Sequence, residues 1–188
     1  MTIWKLRVNE EYNDAFLIDE NGKRLYEKGI YFKEIQKSPH LRRIKIEPTP
    51  KGFPDFMNYW VAQGTCIVSS KVKALIEQYF RNLSIQFFPC ICEQYPDIEM
   101  WILNVCEYHD VLDIEKCTYL EGKNLKDENI ILSINDYSFT KEVHDLDMFK
   151  IYLNNNKNTM DLFVSDRFKS IMEENRITGL ALEKVYSI

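Results

Sequence analysis

The chain has 188 residues, of which 45% are apolar and 28% are charged, and its net charge is −5. These values are typical of a folded domain with an ordinary core, and they disfavour collagen-like, low-complexity and nucleic-acid-binding proteins. Five cysteines, an odd number, favour reduced thiols in the cytoplasm over a disulfide framework. We find neither a signal peptide nor the roughly 20 apolar residues of a membrane span, so we expect one cytoplasmic domain over residues 1–188.

The first 57 residues are predicted to form N-terminal strands followed by an aromatic loop. Residues 2–8 alternate apolar and polar side chains, as a half-buried strand does, and residues 15–19 and 41–46 have the composition of short strands. Asn21-Gly22 is a hairpin signal. Prolines and a glycine interrupt residues 48–54, and four aromatic residues lie beside them. These are Phe53, Phe56, Tyr59 and Trp60, which indicate either a loop packed on the core or a binding surface.

A segment of eleven residues occurs twice, at 67–77 and at 163–173. Each copy has a short apolar run, a serine and then an amphipathic stretch, which predicts a strand leading into a helix that the serine hydroxyl caps. The helices are expected over residues 70–81 and 166–175. The identical pairs in the two copies are Val68/Val164, Ser69/Ser165, Lys73/Lys169 and Glu77/Glu173.

Further strands are predicted between and after the two copies. They fall at residues 85–88, 98–105, 130–134, 149–153 and 180–186. Because the strands and the two helices do not alternate regularly, the order favours the α+β class over a doubly wound α/β fold. We expect a mixed or antiparallel sheet with two similar strand–helix–strand units packed on it, within a core region of residues 58–188.

Charge is distributed unevenly along the chain. From Asn82 to Glu115 there is no lysine or arginine in 34 residues, whereas seven acidic residues occur there. Such a stretch is either a solvated face that maintains solubility or a docking face for a basic partner, because complementary charge speeds encounter. Aromatic side chains within the stretch would strengthen a contact with a protein. On the docking interpretation, the candidate partner-binding residues are Asp97, Glu99, Trp101, Tyr108, Asp110 and Asp113.

The sequence supports catalytic and metal-binding sites less well than it supports a docking face. Cys90 and Cys92 could join Cys106 and His109 at a zinc ion, but the spacing is not one that zinc sites use. Paired acids such as Asp145 and Asp147 lack the rest of a calcium loop, and no glycine-rich phosphate loop occurs. We therefore expect no metal and no cofactor.

Two alternatives to a docking protein stay open at this point. One is a small enzyme that uses Cys106 or Cys117 with His109 or His144, which residue identity alone supports. The other is a ligand-binding module whose pocket is built from the aromatic residues between 53 and 60.

The C-terminal half carries motifs that resemble a known family. Residues 163–174, Phe-Val-Ser-Asp-Arg-Phe-Lys-Ser-Ile-Met-Glu-Glu, are followed by Ile-Thr-Gly-Leu at 177–180, and the middle of the chain adds Trp-Ile-Leu-Asn-Val at 101–105 and Val-Leu-Asp-Ile-Glu at 111–115. This combination resembles family eleven of the bacterial polymorphic-toxin immunity proteins, formerly a domain of unknown function. The resemblance covers residues 58–186.

The resemblance implies a non-enzymatic, cytoplasmic antidote that binds a cognate toxin domain and blocks it. The motifs belong to the scaffold, so they assign no catalytic or binding residue. An acidic docking stretch would suit a basic toxin, such as a nuclease, whose own substrate is a polyanion.

Overall fold

The computed structural model describes residues 1–7, 9, 11, 15–18, 42–46, 52–58, 65–157 and 161–187. Within these residues the strands are β1 (Thr2–Arg7), β2 (Ala15–Leu17), β3 (Arg42–Ile46), β4 (Phe56–Asn58), β5 (Cys66–Ser69), β6 (Ile85–Cys92), β7 (Glu99–Val105), β8 (Tyr108–His109), β9 (Thr118–Lys123), β10 (Asn129–Asp136), β11 (Met148–Leu153), β12 (Asn156–Lys157), β13 (Phe163–Ser165) and β14 (Ala181–Ser187). The α-helices are α1 (Ser70–Tyr79) and α2 (Asp166–Glu174), and short 3-10 helices occupy Ile114–Lys116 and Lys141–Asp145. The predicted α+β class is confirmed.

The strands form two six-stranded sheets and one separate hairpin. The first sheet has the order β2-β3-β6-β7-β5-β4, in which only β3 and β6 run parallel. The second has the order β12-β11-β13-β1-β14, with β8 added in parallel to β11. Strands β9 and β10 pair only with each other among the described residues.

The repeated segments lie in different sheets, not on the single sheet that the sequence led us to expect. In the first sheet β5 leads through α1 to β6, and β7 lies between these two strands. In the second sheet β13 leads through α2 to β14, and the N-terminal strand β1 lies between them. The sheets separate because β1 pairs antiparallel with both β13 and β14 and so takes the place that β7 takes in the first sheet.

Both helices begin where the serines predict. Ser69 Oγ accepts a hydrogen bond from the backbone N–H of Val72 (3.3 Å), and Ser165 Oγ accepts one from Phe168 (3.2 Å). The duplicated serines are therefore helix caps that satisfy free amides of the first turn.

An aspartate anchors each capping serine in the same way. Ser69 Oγ donates to Asp55 Oδ1 (2.8 Å), and Ser165 Oγ donates to Asp147 Oδ1 (2.7 Å). Each aspartate precedes the strand that pairs antiparallel with the serine's own strand, β4 with β5 and β11 with β13. The hydroxyl thus fixes the helix start to the neighbouring strand.

A buried apolar cluster joins the two repeated segments. The ring of Phe168 on α2 lies 6.4 Å from that of Phe56 on β4 and 5.6 Å from that of Phe80, which ends α1. Side chains of both helices and both sheets complete the cluster, among them Val68, Val72, Ile76, Leu103, Met148, Val164 and Met172.

The region predicted as an aromatic loop contains a strand. Phe56 begins β4, which pairs with β5, and its side chain is buried because it packs in the apolar cluster that contains Phe168. Phe53 is partly buried and its ring packs edge-on against Tyr95 at 5.0 Å. Tyr59, Trp60 and the Asn21-Gly22 hairpin signal lie outside the described residues.

Candidate functional site

The acidic segment is divided between the two ends of β7. Asp97, Glu99 and Trp101 lie at the start of that strand, whereas Tyr108, Asp110 and Asp113 follow its other end. Trp101 is four strand steps of about 3.3 Å from the end of β7 at Val105, so roughly 13 Å of strand separates the two groups. The six candidate residues therefore form two patches.

The first patch is the turn between β6 and β7, residues 93–98, with Glu99. Asp97 is exposed, Glu93 is ion-paired with Arg43, and Glu99 Oε2 accepts a hydrogen bond from Ser70 Oγ (3.0 Å). Three exposed apolar side chains accompany these acids: Ile91, Tyr95 and Ile98. The turn thus presents mixed acidic and apolar surface.

Trp101 is held in place by α1. Its indole N–H donates to Ser70 Oγ (3.1 Å), and Lys73 Nζ lies 4.5 Å from the ring centroid. The ring is half-buried against the apolar cluster that joins the two sheets. Packing and the cation–π contact account for this side chain without a partner.

The second sheet repeats that arrangement with Trp4. The indole N–H of Trp4 donates to Asp166 Oδ1 (2.8 Å), and Lys169 Nζ lies 4.2 Å from the ring centroid. Asp166 is the first residue of α2, as Ser70 is of α1. The duplication of the contact indicates that Trp101 belongs to the scaffold of its sheet.

The second patch begins at Tyr108 on β8. Its ring lies 6.0 Å from that of Tyr152 and 4.6 Å below Lys157 Nζ, and burial raises the pKa of the phenol to about 12. The hydroxyl is buried without a hydrogen-bond partner among the described residues. Tyr108 therefore offers a partner only part of its ring.

Lys150, next to Tyr108 across the β8–β11 pairing, is a buried cation that the sequence analysis missed. Its side chain is 0% exposed and its Nζ has no hydrogen-bond partner among the described residues. Burial lowers the pKa of this ammonium from 10.5 to about 8. Its position between apolar residues of β11, in Met148-Phe-Lys-Ile151, was the available signal.

The two acids of the second patch differ in what they contact. Asp113 is ion-paired with Lys116 one 3-10 turn later. Asp110 is exposed, and no ion pair from the part of the chain that the structure describes reaches it. Asp110 is therefore the carboxylate of this patch that a partner's cation could neutralise.

Asp110 lines a cleft of about 370 Å³. The cleft lies between the β9–β10 hairpin and the turn that joins β11 to β12, and its apolar lining is Leu112, Ile114, Ile131, Tyr152 and Leu153. Sequence reasoning missed it because its lining comes from segments that lie far apart in the chain, at residues 110–114, 131 and 152–155, and periodicity does not reveal that they meet.

Asn154 fixes the hairpin to the rest of the molecule. Its side-chain amide donates to the carbonyl of Ile131 and accepts from the N–H of Ile131, both at 2.8 Å. Asn154 and Asn155 have φ values of 53° and 57°, the left-handed pair that a tight type I′ hairpin turn requires. The side-chain amide of Asn154, in the β11–β12 turn, thus satisfies both backbone groups of Ile131 on the edge of β10 that does not pair with β9.

The considered metal ligands are not assembled. Cys90 and Cys92 are buried together in the core of the first sheet, and no group of three or more His, Cys, Asp or Glu among the described residues could hold a metal ion. Cys106 Sγ accepts a hydrogen bond from Asn104 Nδ2 (3.3 Å).

Four of the five thiols have pKa values shifted away from those of nucleophiles. Burial raises the pKa of Cys66 and Cys90 to about 12, and it also raises the pKa of Cys92 and Cys117. A nucleophilic cysteine requires the opposite shift, because the thiolate is the reactive form.

His109 Nε2 lies 3.2 Å from Glu107 Oε2, so the imidazole is oriented by a carboxylate.

The comparison with known families decides the class of the protein. Residues 6–187 match the immunity protein family Imm11. The chain belongs to the Imm11 family. The match includes most of the N-terminal region, in which the sequence motifs had shown no resemblance, so the first sheet's strands β2, β3 and β4 lie within the family's common unit. No curated protein matches this Imm11 chain. Among the described residues no helix is long and apolar enough to cross a membrane.

Proposed function

We propose that this Imm11 protein is a cytoplasmic immunity protein that binds the toxic domain of a cognate effector and neutralises it by protein–protein contact, without catalysis. The family match over nearly the whole chain is the observation that carries the proposal.

The partner's contact face is proposed to be basic. Asp97, Glu99 and Asp110 are exposed carboxylates from the cation-free segment, and no lysine or arginine of that segment offsets them. Complementary charge would raise the association rate and disfavour partners of the wrong sign. A nuclease-type toxin fits best, because a domain that binds nucleic acid has a cationic surface.

Trp101, Tyr108 and Asp113 complete the proposed contact set with smaller expected effects. Each is engaged within the fold, Trp101 with Ser70, Tyr108 with neighbouring rings and Asp113 with Lys116. Their exposed atoms would add contact area beside the carboxylates.

The test is co-expression with the toxin domain encoded by the neighbouring gene. We expect the wild-type protein to restore growth and to bind the purified toxin domain 1:1 with an affinity that falls as salt rises. Charge reversal at Asp97 should slow association by about tenfold at low salt. Growth arrest despite full expression of the immunity protein would contradict the proposed function.

A further inference from the structure

The cleft beside the β9–β10 hairpin combines an apolar floor with one carboxylate, that of Asp110. Leu112, Ile131 and Tyr152 provide apolar and aromatic surface, and Asp110 lies in the same lining. Glu121 faces Ile131 directly across the β9–β10 ladder, so both side chains project from the cleft side of the hairpin. No ion pair within the described residues reaches Glu121 or Asp110.

The walls of the cleft are held by the fold itself. Ile131 is fixed by its two hydrogen bonds with Asn154, and the ring of Tyr152 packs at a tilt against that of Tyr108, with centroids 6.0 Å apart. Leu112 forms an isolated bridge with Phe139, which is buried in the core of the second sheet. A site whose walls are already ordered loses little conformational entropy when a side chain enters it.

The lining selects a particular kind of side chain. A lysine or arginine has an aliphatic stem that packs on apolar surface and a charged end that seeks a carboxylate. Arginine fits better than lysine, because a planar guanidinium can stack on Tyr152 while it forms two parallel hydrogen bonds with Asp110.

We propose that this cleft is the anchoring site for the toxin, and that it takes an arginine side chain flanked by apolar residues on the toxin's surface. This inference rests on the proposed function. It assigns different roles to the two acidic patches: the exposed turn before β7 steers the partners together, and the cleft retains the toxin once it is bound.

Steering and anchoring differ in their kinetics. A rim charge mainly changes the association rate, whereas the loss of a desolvated charge pair mainly changes the dissociation rate. Asp110→Asn is therefore expected to raise the dissociation rate at least about tenfold and to leave the association rate within about threefold. Asp97→Asn is expected to show the reverse pattern.

Two matched pairs of variants make the measurement specific. Ile131→Thr removes apolar surface from the cleft, whereas Ile130→Thr makes the same change on the opposite face of the same strand. Asp145→Asn removes an exposed carboxylate from a 3-10 helix outside the cleft and is the control for Asp110→Asn. We expect faster dissociation for Ile131→Thr and Asp110→Asn, and wild-type kinetics for both controls.

The experiment is surface-plasmon-resonance measurement of each variant against a catalytically inactive form of the toxin domain encoded by the neighbouring gene. Wild-type dissociation rates for Asp110→Asn and Ile131→Thr would overturn the anchoring site while leaving the proposed function intact. Failure of the wild-type protein to bind that domain would overturn the proposed function, and the anchoring site with it. Circular dichroism of each variant identifies any loss of binding that results from unfolding.

Discussion

Lys150 places an ammonium group in the interior, which lowers the free energy of unfolding by an amount that depends on pH. The pKa of this group is lowered from 10.5 to about 8 by burial, so the folded state disfavours the charged form. Since the unfolded chain binds more protons between these two pH values, the penalty is complete below pH 8 and falls as pH rises through 8 to 10.5. Each pKa unit corresponds to about 1.4 kcal/mol, so the penalty is on the order of 3 kcal/mol at pH 7.

We predict that Lys150→Met stabilises the protein at pH 7 and that the gain shrinks by about 2 kcal/mol at pH 9.5. Methionine fills a similar volume without a charge to desolvate. Urea unfolding of both proteins at the two pH values measures the difference, in which the titration of tyrosines and cysteines common to both proteins cancels. An advantage of Lys150→Met that is the same at both pH values would show that packing, and not charge, limits this site.

Single residues were predictable where the signal is local. The serine caps follow from a hydroxyl placed just before an amphipathic run, and Ser69 and Ser165 both cap helices. The burial of Lys150 and the ion pairing of Asp110 depend on side chains that are distant in the sequence. The apolar neighbours of Lys150 in β11 were a signal of burial, whereas only the fold determines that Asp110 is without an ion pair in the described chain.

The β9–β10 hairpin is the element on which the cleft depends. It is a separate two-stranded ladder, and such hairpins have marginal stability on their own. Its outer face carries Leu120 and Leu132, 55% and 54% exposed, and Leu132 lies over Gly122. The two hydrogen bonds between Asn154 and Ile131 are therefore expected to be its main polar attachment.

We predict that Asn154→Gly weakens that attachment. Glycine accepts the left-handed backbone at this position, so the change removes the side-chain amide without adding strain. Two hydrogen bonds of about 1 kcal/mol each are lost, and amide hydrogen exchange at Ile131 should accelerate about tenfold or more.

Asn155→Gly is the matched control, because Asn155 has the same left-handed backbone and lines the same cleft. Exchange at Ile131 should stay close to the wild-type rate in that variant. Equal acceleration by both substitutions would mean that turn flexibility, and not the Asn154 amide, governs the hairpin.

Elements were predictable in proportion to their regularity. Both helices begin at their predicted caps, and the apolar strand β7 was expected within one residue of its bounds. Strand β9 was missed because its residues, Thr-Tyr-Leu-Glu-Gly-Lys, do not alternate cleanly. Its partner β10 was predicted at residues 130–134, inside its observed bounds of Asn129–Asp136.

At the scale of the whole molecule, we propose that residues 1–188 fold as one domain. Side chains from both sheets share the buried cluster around Phe168, and Arg167 on α2 is ion-paired with Asp147 while it donates to the carbonyl of Tyr79 at the end of α1 (2.8 Å). The two sheets should therefore unfold together.

Two tryptophans can test this cooperativity, since Trp4 lies in the second sheet and Trp101 in the first. We predict that a variant keeping only Trp4 and a variant keeping only Trp101, with the remaining tryptophans replaced by phenylalanine, each show one urea transition. Within each protein the fluorescence and far-ultraviolet dichroism midpoints should coincide. A fluorescence midpoint displaced from the dichroism midpoint in either protein would show that the sheets unfold separately.

Topology was the least predictable property. The order of strands along the chain gave no reason to place β1 between β13 and β14, because that pairing joins residues from opposite ends of the sequence. Periodicity identifies strands but not their neighbours. Periodicity alone therefore led to the prediction of a single sheet for the two copies of the repeat.

The position of β1 has a consequence for how the protein is made. Trp4 meets Asp166 across 162 positions of sequence, and β1 also requires β14, which ends at Ser187. A ribosome that adds about 5–20 residues per second synthesises β1 roughly 10–40 seconds before it completes those partners. The second sheet must therefore close after Ser187 has been synthesised, so β1 has neither of its neighbouring strands while the intervening chain is being made.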